Sequence, residues 1–398
     1  MSKHTRRFLH LAASVALTTR LVGAQERAPS RPELPADADT NDARSYFRLA
    51  ETVIEKEPRK AADAYYWAIR LNPVWAEAYY GRRTALLLRD PRKLTRYVRG
   101  DRDAAASAEI LAIDSLYLYA LTLNPFVGPK LEHLLIWAVT GQSGGDPSLS
   151  SMSGASVNAR LESYYNRPEV RAAWEYRSGN YDEALRLYGI AISRSDRKAA
   201  LRTQRGRLFY QIGRHDSALA ELTSALEEMR KQDKEDFVFL YESKALMEQR
   251  IGMIHHVMGN DSAAREAFGR ALQEDLSYFP AHVQLGYLAL DAADTTTAAT
   301  EMDLAVQIRP DDPGLRYQYG YTLASLKKLP EAEKQLRSAI AIDPDYAVPH
   351  FVLGQVLEAR SQTDNASIEY QSFLARAPRV DPRRDEALAR VQALKSNH

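Results

Sequence analysis

The stretch Gly141-Gln142-Ser143-Gly144-Gly145 has the spacing of a nucleophile elbow, in which a serine on a sharp strand-to-helix turn is held beside an oxyanion hole. That chemistry needs a strand leading into the turn. Here a helical pattern precedes the serine, a serine-rich loop follows it, and no parallel-sheet pattern occurs anywhere. Ser143 is therefore assigned no catalytic role. His255 and His256 are the next candidates, as metal ligands. Neighbours on a helix point in different directions, so the pair cannot chelate one ion, and no H-E-x-x-H or carboxylate cluster accompanies them. His255 takes the register position of Phe209 and Leu323, which predicts a packed histidine. The chain is read as a non-enzyme, with no catalytic residue, metal or cofactor.

A second chemistry is electrostatic. Arg89, Arg92, Lys93 and Arg96 would share one helix face in a segment that also carries Arg82, Arg83, Arg99 and Arg102. Two readings stand: a solvated stripe, or a dock for an anionic surface such as lipid headgroups, cell-wall polymer or an acidic partner. The whole chain carries a net charge of only +1, which argues against general affinity for nucleic acid. Asn260-Asp261-Ser262 and Asn365-Ala366-Ser367 fit a glycosylation sequon and are read as chance.

The elements that would position these groups are written in the small residues. Gly252, Gly286, Gly320 and Gly354 are spaced 34 apart, and Ala218, Ala264, Ala298, Ala332 and Ala366 lie 12 residues after Gly206 and those four. A second alanine follows seven later at Ala225, Ala271, Ala305 and Ala339. A fixed period near 34 with two helical patterns per unit is the signature of stacked helix-turn-helix repeats. Five residues separate alanine from proline at Ala120–Pro125, Ala305–Pro310 and Ala339–Pro344, so proline ends the second helix of each unit. Between Ala68 and Ala120 the spacing exceeds the period by 18, predicting an insertion around Asp90–Asp103; between Ala218 and Ala264 it exceeds it by 12, predicting overlong helices on both sides of Lys231–Glu235.

At the amino terminus Lys3, Arg6 and Arg7 precede an apolar run, Phe8–Thr19, and then Val22-Gly23-Ala24. These are the three regions of a secretory signal, with residues 1–24 removed on export. Thr5-Arg6-Arg7-Phe8-Leu9 resembles a twin-arginine motif loosely, and general secretion is preferred. Loss of that segment removes four cations and no acids, leaving 49 positive against 52 negative, a balance of −3. The location expected is periplasmic or secreted. There is no cysteine, so packing alone must hold the fold, and no later stretch is apolar for long enough to span a bilayer. Leu131–Thr140 is read as a buried helix.

The units resemble tetratricopeptide repeats. Leu285-Gly286, Ala289, Ala298, Met302, Ala305 and Pro310 fit the family pattern, as do Tyr319-Gly320, Leu323, Ala332, Leu336, Ala339 and Pro344, with Leu353-Gly354, Leu357, Ala366, Tyr370 and Pro378 following. Departures are present: Arg202, Glu248, His282, Arg316 and His350 occupy a first-helix position that often carries a large aromatic, and Arg205 replaces a leucine, which predicts a polar outer seam. The resemblance implies an all-α fold, a right-handed superhelix of helical hairpins, closed here by a capping helix. The organisation expected is a signal peptide at 1–24, a linker at 25–42, a degenerate repeat region at 43–140 and a Gly/Ser-rich loop at 141–158. A repeat array at 159–378 and a cap at 379–398 complete it. In the cap, Ala387, Leu388, Val391 and Leu394 form one apolar stripe.

The resemblance also implies a concave face lined by first helices. Carried onto this sequence it selects Tyr210, Met253, Val283, Tyr287, Leu290, Tyr317, Tyr321 and Phe351 as a groove for another protein or peptide. The Lys and Asn of the family's carboxylate clamp are absent from these positions. The function expected is that of an exported scaffold in envelope assembly or secretion. A helical enzyme or self-assembling domain at 74–166, with the repeats recruiting its substrate, is the alternative, and self-association stays open.

Overall fold

A computed structural model of the chain describes residues 28–90, 94, 104–128, 131, 134–135, 166–231 and 243–396. The signal at 1–24, the loop at 141–158 with Ser143, and Arg92, Lys93 and Arg96 lie outside them. Among the described residues there are seventeen helices and no strand. They fall into two compact units, one within Met1–Leu123, Leu131–Gln142 and Ala377–Asp381, the other within Asn124–Lys130, Ser143–Arg376 and Pro382–His398.

The first unit holds α1 (Ala43–Val53), α2 (Pro58–Leu71), α3 (Ala76–Arg89) and α4 (Ala104–Leu123), each packed on the next. Asp42 caps α1 by accepting from the Arg44 amide at 2.9 Å. Ala50, Ala61 and Tyr65 are buried between α1 and α2, and Gly81 of α3 leaves the space that the Tyr65 ring fills. The extra residues of this repeat fall between Arg89 and Ala104, where only Asp90 and Leu94 are described. Of the apolar stretch 131–140, Leu134 and Leu135 are helical and buried.

The second unit is a run of hairpins: α5 (Pro168–Arg177) with α6 (Tyr181–Arg194), α7 (Lys198–Gln211) with α8 (His215–Lys231), and α9 (Lys244–Val257) with α10 (Asp261–Glu274). Then come α11 (Phe279–Asp291) with α12 (Thr295–Ile308), α13 (Pro313–Ser325) with α14 (Leu329–Ile342), and α15 (Val348–Ala359) with α16 (Thr363–Arg376). Helix α17 (Arg384–Ser396) packs on α16. Each second helix also packs on the first helix of the next hairpin, so the unit is an α-solenoid that ends in a capping helix.

The hairpins close because glycine on the first helix faces a large side chain sixteen residues on. Gly206 faces Leu222, Gly252 faces Phe268, Gly286 faces Met302, Gly320 faces Leu336 and Gly354 faces Tyr370. Each large apolar side chain buried this way contributes about 1.5–3 kcal/mol. The turns between paired helices share a Schellman geometry: at the first, the Asn180 amide donates to the Glu175 carbonyl at 2.9 Å and Gly179 to Tyr176 at 3.2 Å. Helices α2, α4, α12, α14 and α16 each stop two residues before Pro73, Pro125, Pro310, Pro344 and Pro378, because the residue before a proline is pushed out of the helical region.

Three expectations need correcting. Only α8 is overlong, at 17 residues against 14 for α9, so the extra chain is not shared by both flanking helices. The capping helix begins at Arg384 rather than beside Asp381-Pro382, whose backbone instead turns, with the Asp381 amide donating to Pro378. Within the cap Ala387, Val391 and Leu394 are buried, but Leu388 is exposed, because an offset of one residue rotates it by about 100° off the buried stripe.

Candidate protein-binding face

Most pairs of the polar seam anticipated on the first helices reach the second helix of the same hairpin. His282 meets Glu301 at 2.7 Å, Arg316 donates to Gln335 at 2.7 Å and His350 meets Glu369 at 2.7 Å, all nineteen residues apart. Arg202 contacts Glu221 at the same separation, at 3.3 Å, and also Glu228 at 3.1 Å. Glu248 is 1% exposed and is held by Arg230 at 2.9 Å and Arg270 at 3.0 Å. Burying that carboxylate is tolerable only because two guanidinium groups hold it. With these side chains engaged within hairpins and, through Arg230, between two of them, the opposite face of the first helices carries a different set of residues.

There α11 and α13 bring Tyr287, Tyr317 and Tyr321 close to one another. Tyr317 and Tyr321 have ring centroids 6.3 Å apart, and Tyr346, in the turn before α15, meets Tyr317 edge-on at 5.5 Å. Burial, reinforced by the neighbouring Tyr317 and Tyr321, pushes the Tyr287 hydroxyl up to about 12. Burial likewise raises Tyr317, against an opposing effect of Arg383, and lifts Tyr346 well above the usual phenol range. Tyr321 stays 47% exposed at the edge of the group. Sequence reasoning missed Tyr346 because it sits in a turn, where no helical period assigns a face.

The remaining residues divide. Leu290 and Met253 are half-buried, and Met253 packs beside the core of the α9–α10 hairpin around Phe268. Val283 and Phe351 are buried, at 6% and 5%, and are corrected from groove to core. Phe351 turns toward the second helix of its own hairpin, with centroids 5.9 Å from Tyr370 and 5.2 Å from Phe373. Tyr210 is covered by Phe126, the rings stacked at 3.7 Å and 11°.

His255 is half-buried rather than a packed core side chain, and the exposed His256 ring lies 2.6 Å from Asp261. Among the described residues no group of three or more His, Cys, Asp or Glu could hold a metal ion, and no helix is long and apolar enough to cross a membrane. Asn260, of the first sequon, caps α10 through the Ala263 amide at 3.2 Å. Arg89 is exposed beside an open cleft that also carries Arg59, Lys60, Glu57 and Asp63, a mixture of signs. Between α3 and α4, Arg83 pairs with Asp114 at 3.2 Å, the two side chains 1% and 0% exposed.

A tetratricopeptide-repeat family model matches residues 170–233 and 285–347, which hold hairpins of the second unit. No curated protein matches the sequence. Solved structures similar to it include the carboxy-terminal part of a TPR repeat-containing protein from Cytophaga hutchinsonii, 17% identical, covering 52% of this chain and 77% of that one, TM-score 0.42. YrrB, titled a TPR protein with an unusual peptide-binding site, is 20% identical over 52% of this chain and 97% of its own, TM-score 0.39. MamA 41-end from Desulfovibrio magneticus RS-1 is 18% identical over 46% and 96%, TM-score 0.37.

Proposed function

Starting from a chain whose residues 170–233 and 285–347 are tetratricopeptide repeats, we propose that the second unit is a scaffold. It binds an extended or helical segment of another protein on the face carrying Tyr287, Tyr317 and Tyr321. The observation that carries this reading is the graded burial of the cluster. Tyr346 is buried and Tyr287 half-buried among their neighbours, while Tyr321 stands 47% exposed against them. A ring left partly in water beside packed rings buries area on binding with few rotors to freeze, and its hydroxyl can remain hydrated. The mechanism is recognition on a preformed surface, with no chemical step.

The test uses a displayed peptide library selected on the full chain. Selected peptides should lose at least about tenfold in affinity for the combined Tyr287→Ala, Tyr317→Ala and Tyr321→Ala variant, about 1.4 kcal/mol, with helicity by circular dichroism retained. Undiminished binding would remove the tyrosine face from the account.

Export is the second part of the proposal: residues 1–24 direct the chain through general secretion to the periplasm or beyond, where the scaffold serves envelope assembly or secretion. The order of Lys3, Arg6 and Arg7, the apolar run and Val22-Gly23-Ala24 supports it. Amino-terminal sequencing of the protein from fractionated source cells should read from Gln25; an unprocessed chain in the cytoplasm contradicts it. The rival enzyme at 74–166 gains nothing from Arg83–Asp114, which is sealed from any substrate.

A further inference from the structure

Part of the face on α7 and α9 is covered by the chain's own residues 124–128, Asn124-Pro125-Phe126-Val127-Gly128. They form neither helix nor strand. The Phe126 and Val127 amides fold back on Asn124, donating to its side-chain and main-chain oxygens at 3.0 Å each. The Phe126 ring stacks on Tyr210, and Val127 is 3% exposed. Arg250 of α9, 0% exposed, donates its Nε to the Pro125 carbonyl at 2.7 Å. Gly128 lies against Tyr176 and Arg207, so a Cβ there would stand 3.2 Å from the Tyr176 hydroxyl.

Tyr210 is on the face that the repeat resemblance selects for a ligand, and Arg207 lies three residues before it on the same helix. A turn that only filled space would pack side chain on side chain. Here a buried guanidinium, which also contacts Met247, gives its Nε to a main-chain carbonyl, although an ion in the interior carries a desolvation penalty of several kcal/mol. Arg207 is also buried, at 5%, and its Nη2 finds no partner. A slot for a ring, a charged donor for a carbonyl and a second buried cation are the parts that read a peptide backbone and one aromatic side chain.

We propose that the face formed by α7 and α9 is a second peptide-binding site whose resident ligand is Asn124–Gly128, and that a partner segment with proline followed by an aromatic residue competes for it. Tethering gives the resident segment a high effective concentration, so an outside peptide meets a site that is open only part of the time. Weakening the resident ring opens the site. The inference does not depend on the tyrosine cluster of α11 and α13 and survives its failure.

The probe is a fluorescent Asn-Pro-Phe-Val-Gly peptide, titrated against the full chain by anisotropy. The Phe126→Ala chain should bind it at least about tenfold tighter than the unaltered chain, and adding Tyr210→Ala should abolish that gain. Equal affinity for the first two chains, or a gain that survives Tyr210→Ala, overturns the proposal. A second measurement needs no variant. Hydrogen exchange of the unaltered chain in millimolar peptide should quicken at the Phe126, Val127 and Gly128 amides while the helical amides of α7 and α9 stay protected. Unchanged exchange at those three amides overturns it equally.

Discussion

Gly252 and Phe268 stand sixteen residues apart on the two helices of one hairpin, and a Cβ built on Gly252 would lie 2.5 Å from the Phe268 ring. The ring occupies the volume that any larger residue needs. Gly252→Ala is therefore expected to destabilise the chain, because overpacking costs about 1–3 kcal/mol and the helix-propensity gain of about 1 kcal/mol offsets only part of it. At Gly286 the opposing group is the flexible Met302, 3.1 Å away, and the same substitution should be near neutral. Urea denaturation of the two variants checks the difference.

The turn position that holds Gly179, Gly213 and Gly259 at φ of 81°, 77° and 77° holds Ala293, Lys327 and Ser361 in the later repeats, still at 57°, 62° and 60°. A left-handed backbone costs a non-glycine residue about 1–2 kcal/mol, and glycine's greater unfolded-state freedom offsets about 0.4–1 kcal/mol of any relief. Ala293→Gly and Lys327→Gly should each raise the unfolding midpoint modestly. Gly259→Ala should lower it.

Asp114 is fully buried beside Arg83 in the first unit. Asp114→Ala removes the carboxylate and leaves the guanidinium enclosed, which is expected to cost about 3–5 kcal/mol. Thermal unfolding should show the loss far more strongly than for Asp182→Ala, whose carboxylate is 88% exposed beside Arg214 and contributes little.

Tyr287 predicts a pH dependence at the alkaline end. Its hydroxyl titrates near 12 in the folded chain, above the ordinary value of 10 that applies once unfolded. Below pH 10 both states keep the proton and the stabilisation is complete. Between 10 and 12 the unfolded chain releases it first, so stability falls as pH rises. Denaturant midpoints measured from pH 9 to pH 11.5 should decline less steeply in Tyr287→Phe.

Much of this architecture was legible in the sequence because its determinants are local and periodic. Glycine and alanine spacing locates the helix contacts, and the prolines fix where five helices end. The tyrosine face was half legible. Helical register brings Tyr287, Tyr317 and Tyr321 to one face, but register cannot say that Phe351 rotates into Tyr370 and Phe373. Nor does any local pattern pair Phe126 with Tyr210 or Arg250 with Pro125, since those contacts join residues 84 and 125 positions apart.

Photocrosslinking in the source cell tests the central claim most directly. A photoreactive residue at Tyr321, on the open edge of the cluster, is compared with one at Ile368, 58% exposed on the second helix of the last hairpin. The account predicts a discrete crosslinked partner from position 321 and none from 368. Equal crosslinking from both, or from 368 alone, would contradict it.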